Sequence, residues 1–317
     1  MLALSLLLAF GPKAPPPIPA GSMTSELVVE GPLAQRLSKT PADLVIFYGA
    51  EQKGSMETCG CPHRPRGSLA RWAAYVDAAG KDVASVRVNA DYWLEDAMGF
   101  EGATRPDVAL MDQWMAQALA LGSWDALNVG PNDLAGLASL PTGAAEGLPL
   151  VSATVSAPGV RPYVIVERGG RKVGITGIAG AVPTLTQVPG AKEADPNAIL
   201  DELVAKVDVV VLLAYQAEDL AANLVGRHPE IDVVVDAAGH REFEEPTLRR
   251  GTTFVYAHYQ TMRAGELRLR LDGGRIVGGV DRKVDLDPEM PDEPKTAALA
   301  RQAKTEIDAA QKQLYGP

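Results

Sequence analysis

Short apolar runs rich in β-branched residues recur along this chain with segments of helical period between them, and that alternation constrains the fold more than any other feature. The runs predict strands over 44–48, 83–88, 126–129, 150–155, 162–167, 173–178, 208–214, 231–236, 252–257 and 265–271. Helical spacing predicts helices over 67–79, 107–121, 197–205, 217–227 and 294–313. The class is therefore α/β. Ser68 is placed to cap the first helix, whose apolar face carries Leu69, Trp72, Ala73 and Val76. Gly169-Gly170 and Gly273-Gly274 each join two apolar runs and read as hairpin turns. Gly174, Gly177 and Gly180 lack the spacing of a dinucleotide loop, and no Gly-Lys-Ser/Thr ending follows them.

With 317 residues and 46% hydrophobic content, the chain can bury one large core or two modest ones. Forty acidic side chains against 30 basic ones give a net charge of −10, without a basic patch to offset it, so nucleic acid is not an expected partner. The run Met1–Phe10 is apolar over the length of a secretory signal core and too short to span a bilayer. It has no Lys or Arg before it and no Cys after it to accept a lipid. Pro12, Pro15, Pro16, Pro17 and Pro19 then form an extended spacer. The expected organisation is an export-like segment and spacer over 1–37, a domain over 38–287, and a linker with a surface helix over 288–317. The expected location is the periplasm or cell envelope, with the membrane reached only through an N-terminal tether; a disordered cytoplasmic N-terminus is the alternative.

Both cysteines of the chain, Cys59 and Cys61, share one loop after the first apolar run. A bridge across so short a span removes little unfolded-state entropy, so the pair suits redox exchange or soft-metal binding better than stapling. Two small apolar side chains in a tight turn are the plainer reading. His63 completes a Cys-x-Cys-x-His pattern, and Arg64, Arg66 and Lys53 supply positive charge that would favour thiolate. His228 reads as a surface residue at a helix end.

Five segments in order resemble the metallophosphoesterase domain of bacterial 5′-nucleotidases, from about Val45 to Leu271. Residues 49–54 (Gly-Ala-Glu-Gln-Lys-Gly) stand where that family has Thr-Asn-Asp-x-His-Gly, and Cys59-Gly60-Cys61 and Gly67-Ser68-Leu69-Ala70-Arg71 match its following loop and helix start. Val88-Asn89-Ala90-Asp91 resembles its Asp-x-Gly-Asp, and Gly130-Pro131-Asn132-Asp133 its Gly-Asn-His-Asp. Leu213-Ala214-Tyr215 stands for Leu-Ser-His, and residues 231–240 for the stretch ending in His-x-His. The resemblance implies a four-layer α/β/β/α sandwich.

It also implies a hydrolase with two bridged divalent metals, yet the imidazole ligands such a centre needs are largely missing. Carried over, the first Asp becomes Glu51, its His becomes Lys53, the bridging Asp is kept as Asp91, and the next Asn and His become Pro131 and Asn132. The last ligands become Tyr215, Ala238 and His240. An ammonium cannot bind a cation, but it can neutralise Glu51 and Asp91. The expected remnant is thus a degenerate pocket of Glu51, Lys53, Asp91, Asn132, Asp133, Tyr215, His240 and His258, with no cofactor. The alternative is one divalent metal on Glu51, Asp91 and His240. Cys59 and Cys61 are then the expected chemical centre, acting on an exported protein or small-molecule partner by thiol/disulfide exchange. A metal-dependent phosphoester hydrolase and a non-catalytic scaffold are the competing readings.

Overall fold

Strand β2 (Leu44–Gly49) shows how the layers arise. Its alternate side chains enter different apolar clusters, Val45 and Phe47 on one face, Leu44, Ile46 and Tyr48 on the other. Both faces are buried, so the strand must lie between two layers. The computed structural model describes residues 18–28, 42–95, 105–182, 185, 188–237, 241, 243–272 and 274–316.

Among the described residues, β2 belongs to a seven-stranded sheet ordered β1-β15-β14-β2-β3-β4-β5. Its parallel half is β2, β3 (Ser85–Asn89), β4 (Ala126–Asn128) and β5 (Leu150–Val151). Its antiparallel half is β1 (Met23–Val28), β14 (Arg263–Asp272) and β15 (Arg275–Asp285). The second sheet runs β12-β13-β11-β10-β8-β7. In it β8 (Arg171–Ala179), β10 (Val209–Tyr215), β11 (Val233–Ala237) and β13 (Thr252–Tyr256) are parallel. The edge strands β7 (Val164–Arg168) and β12 (Thr247–Arg249) are antiparallel.

One apolar cluster fills the space between the sheets, joining Ile46 and Tyr48 to Val211 and Leu213. A second, with Trp72 and Trp124 stacked at 4.2 Å, covers the outside of the first sheet. The helices there are α1 (Leu69–Ala79), α2 (Pro106–Leu121) and α3 (Pro131–Ser139). The long helix α6 (Pro294–Tyr315) lies against them, and its Gln311 and Tyr315 donate to buried Asp107. The third cluster sets α4 (Pro196–Val204) and α5 (Glu218–Arg227) on the second sheet. The result is the expected four-layer α/β/β/α sandwich.

Ser68 caps α1 as anticipated, accepting from the Arg71 N–H, and the four residues of its predicted apolar face are buried. Three predictions need correction. Residues 23–28, assigned to the spacer, are a sheet strand paired with β15. The segment 150–155 breaks into β5 and the short β6 (Val155–Ser156), which pairs with β9 (Lys192–Glu193). His228 is buried between α5 and α4, with Nε2 3.3 Å from Asn197 Oδ1 and Nδ1 3.5 Å from Asp201. The export-like run 1–10 lies outside the described residues.

Candidate functional site

Beyond the ends of β2 and β3 the two chains stay zipped together. Glu51 N–H donates to Asp91 O at 2.9 Å, Lys53 N–H to Tyr92 O at 3.0 Å and Gly54 N–H to Trp93 O at 3.1 Å. Holding these loops side by side puts Glu51, Lys53, Asp91 and Tyr92 at positive φ (53°, 52°, 144° and 60°), where side chains clash with their own backbone. Such strain persists only where surrounding contacts over-determine it, and it concentrates at functional sites. The loops lie at the carboxyl ends of parallel strands, where open α/β sheets form their ligand crevices.

Asp91 is fully buried. Its Oδ1 accepts from Tyr92 N–H at 2.6 Å and Gly130 N–H at 3.0 Å, and its own N–H donates to Asn89 Oδ1. A Cβ at Gly130 would fall 1.7 Å from Asp91 Oδ2, so only glycine leaves the carboxylate its place. Asp133, at the start of α3, accepts from Tyr92 and Leu94 N–H groups at 2.8 Å each. With both carboxylates ionised, Asp91 Oδ2 has no donor. A proton held between them supplies one: burial, then the Asp91 charge, pushes Asp133 well above the usual range, and its carboxyl donates to Asp91. Asp91 itself is pushed to about 6 by burial, against the donors from Asp133, Tyr92 and Gly130. Asp112 extends the acidic core; its Oδ1 accepts from Glu95 N–H, Oδ2 has no partner, and burial raises it to about 7.

Lys53 Nζ sits 3.3 Å from Glu51 Oε2 and 5.0 Å from the centre of the Tyr92 ring. The ammonium therefore neutralises Glu51, as expected, while Asp91 is served by backbone N–H groups and Asp133, which corrects the expectation that Lys53 balances both. Tyr215 meets Tyr92 edge to face at 6.0 Å. Burial, then the charges of Asp91 and Glu51, holds its phenol far above the usual range, and its hydroxyl accepts from Gln216 Nε2 at 3.2 Å. Asn132 is half-buried in the first turn of α3. His258 is buried with its ring 5.5 Å from Phe243, and Gln260 N–H, on the turn after it, donates to Glu51 O. His240 lies outside the described residues. Among the described residues, no three His, Cys, Asp or Glu side chains form a group that could hold a metal ion.

Sequence reasoning missed the supports around these residues. Asn89 Nδ2 donates to Gln52 Oε1 at 2.6 Å, and Asn128, at the end of β4, donates to Ala90 O and across to Ile178 O of the second sheet. A Cβ at Gly177 would fall 1.9 Å from Asn128 Oδ1, so the glycine read as a failed dinucleotide motif lets the sheets close around that amide. Polar residues ending apolar strands were the available signal.

The loop carrying the thiols is pinned by the Thr58–Gly67 bridge and by Cys59 N–H donating to Arg66 O at 2.8 Å. Cys59 is half-buried, Cys61 is exposed, and both are free. Cys59 Sγ accepts from Arg66 N–H at 3.3 Å. Burial works against a Cys59 thiolate, but donors from Cys61 and Arg66, with the Arg66 charge, outweigh it and lower the group; Cys61, donating to Cys59, is raised. The other cations turn away. Arg64 donates to Asp287 at 2.6 Å and to Ala20 O, and Lys53 is taken by Glu51, while the Arg66 charge bears on both thiols. Arg66 is itself 3.4 Å from Asp285.

The sequence matches no family model and no curated protein, so relationships rest on structure. A 5′-nucleotidase precursor from Thermus thermophilus superposes with a TM-score of 0.66 at 21% identity, over 84% of this chain and 59% of its own. The sulfate thiohydrolase SoxB of the same organism gives 0.69 at 13% identity, over 84% and 61%. The NAD nucleotidase NadN of Haemophilus influenzae gives 0.67 at 14%, over 84% and 60%. The chain has the metallophosphoesterase fold of the 5′-nucleotidases. It spans about 60% of the length of these neighbours. The turn after β13 reaches both regions: Gln260 N–H donates to Glu51 O, and Met262 lines a cavity with Cys59 and Cys61. No helix among the described residues is long and apolar enough to cross a membrane.

Proposed function

We propose that this metallophosphoesterase-fold protein is exported, has largely lost the binuclear centre its fold implies, and exchanges thiols with disulfides through Cys59 and Cys61. One observation carries the redox reading: the two thiols stand two residues apart on one accessible loop and line one cavity, with Cys59 Sγ held by the Arg66 N–H. The side chains of the strand-end pocket do not fit a metal pair. An ammonium occupies the place of an imidazole, Pro131 has no ligand atom, and Asp91 divides its oxygens between backbone N–H groups and the Asp133 carboxyl.

In the exchange, the Cys59 thiolate attacks one sulfur of a partner's disulfide, forming a mixed disulfide and releasing one partner thiolate. Cys61 then loses its proton and attacks Cys59 Sγ, forming the Cys59–Cys61 bond and releasing the second. The protein gives up two electrons and the partner disulfide takes them. Strain in so short a ring makes the oxidised form ready to run the sequence backwards on a partner dithiol. The apolar run 1–10 and the proline spacer support export, to a compartment where disulfides persist.

Phosphoester hydrolysis at one metal held by Glu51, Asp91 and His240 is the second reading, favoured by neighbours that are nucleotidases. Elemental analysis for manganese, zinc and iron, with thiol titration of the same purified protein, separates the readings. None of these metals and two fast thiols support exchange. Bound metal, one ion or a pair, restores hydrolysis, and no metal with inert thiols leaves a binding scaffold.

A further inference from the structure

A methionine far away in sequence lies at the cysteine loop. Met262, half-buried just before β14, lines one cavity of about 270 Å³ together with Cys59, Cys61, His63, Arg64 and Arg66. Its position relative to the loop is fixed by one residue. Leu286 accepts from Gly67 N–H at 2.9 Å and donates its own N–H to Met262 O at 3.1 Å, so the thiol loop and the thioether strand hang on the same backbone unit.

Three sulfur-bearing side chains lining one cavity make a soft donor set. We propose that Cys59, Cys61 and Met262 form a binding site for monovalent copper. Thiolate and thioether donors favour Cu(I) over hard cations, and Cu(I) is satisfied by a linear pair or trigonal set of sulfurs. Zinc takes a closed tetrahedron of nitrogen and sulfur ligands in structural sites, and Cys59, Cys61 and His63 are not arranged as a three-ligand group. On binding, each thiol releases a proton to solvent and the copper keeps its oxidation state, giving an anionic bis-thiolate in the cavity that Arg66 also lines. The site rests on the same reduced, reachable thiols as the exchange reading but adds Met262, which exchange does not need. Bound Cu(I) would block disulfide formation and so hold the protein reduced.

The test is an anaerobic Cu(I) titration of the full chain against bicinchoninate, run beside its exchange rate with oxidised glutathione. We expect one Cu(I) per chain, lost in Cys59→Ser. Met262→Leu should weaken binding by about tenfold, the scale on which single groups around a metal change its affinity, with the exchange rate unchanged. His63→Ala should leave the affinity alone. No uptake with intact exchange overturns the copper site and leaves the redox reading standing. Uptake without exchange does the reverse. Weakening by His63→Ala and not by Met262→Leu shows that the donor set is wrong.

Discussion

The strand-end pocket and the cysteine loop both contact the Gln260–Met262 turn, yet they spend their polar groups in opposite ways. In the pocket, Asp91, Asp133 and Asn89 are fully buried and face one another, backbone N–H groups or, through Glu51, the Lys53 ammonium. On the loop, the sulfurs reach a cavity open to solvent and only Cys59 has backbone donors. On the proposed reading, the pocket's polar groups hold the fold and the loop's thiols do the chemistry. Substitutions in the first region should therefore cost stability, and substitutions in the second should cost chemistry with the fold intact.

The largest effect should come from Asp133→Ala, which leaves the buried Leu94 N–H without an acceptor, takes one of two acceptors from Tyr92 N–H and removes the proton donor to Asp91. We expect a loss of about 3 kcal/mol in urea denaturation. Asp133→Asn keeps a donor and one acceptor and should cost about 1 kcal/mol. Equal costs would mean that no proton is shared.

Stability should next depend on pH in the direction opposite to acid denaturation. Burial raises Asp112 to about 7, and Asp232 and Asp281 to about 6, from an ordinary 3.8. A raised carboxyl keeps its proton in the folded state, so its contribution is complete below about pH 4 and disappears as pH rises through 6 to 7. Between pH 6 and pH 8 the protein should lose about 2 kcal/mol, and Asp112→Asn should flatten much of that slope. A flat profile in the parent protein would show that these carboxylates are not buried as described.

Lys53→Met should matter less than either. The Lys53 side chain is 33% exposed, so solvent screens its pair with Glu51, and the cost should stay below about 1 kcal/mol in the same denaturation assay. Smallest of all in stability is Cys59→Ser, expected within about 0.5 kcal/mol of the parent while abolishing exchange with oxidised glutathione. A large loss of stability there would erase the contrast between the two regions.

Much of the fold was legible because strands buried on both faces are continuous apolar runs, as at 209–214, and because Ser68 and the Gly-Gly turns mark local structure directly. Strand β15 was not, since its buried positions include Asp281, Lys283 and Asp285, and their partners Tyr48, Glu244 and Arg263 lie far away in sequence. The same holds for β1, whose place on the sheet edge depends on that strand. Helix α3 is short and begins at Pro131 with Gly136 inside it, so its period is weak. In the pocket, the sequence located Glu51, Lys53, Asp91, Asp133 and Tyr215 through motif order. It could not reveal that Asp91 pairs with Asp133 rather than with Lys53, because that depends on the side-by-side course of two loops about 40 residues apart. Met262 was invisible for the same reason.

The most direct test of the account is to equilibrate the protein over a series of reduced-to-oxidised glutathione ratios, quench by alkylation and count free thiols by mass. The account predicts that Cys59 and Cys61 disappear together in one two-electron transition, giving the internal disulfide, and that Cys61→Ser stops instead at a mixed disulfide with glutathione on Cys59. Two thiols that stay free at every ratio, or that are modified independently of one another, would contradict it.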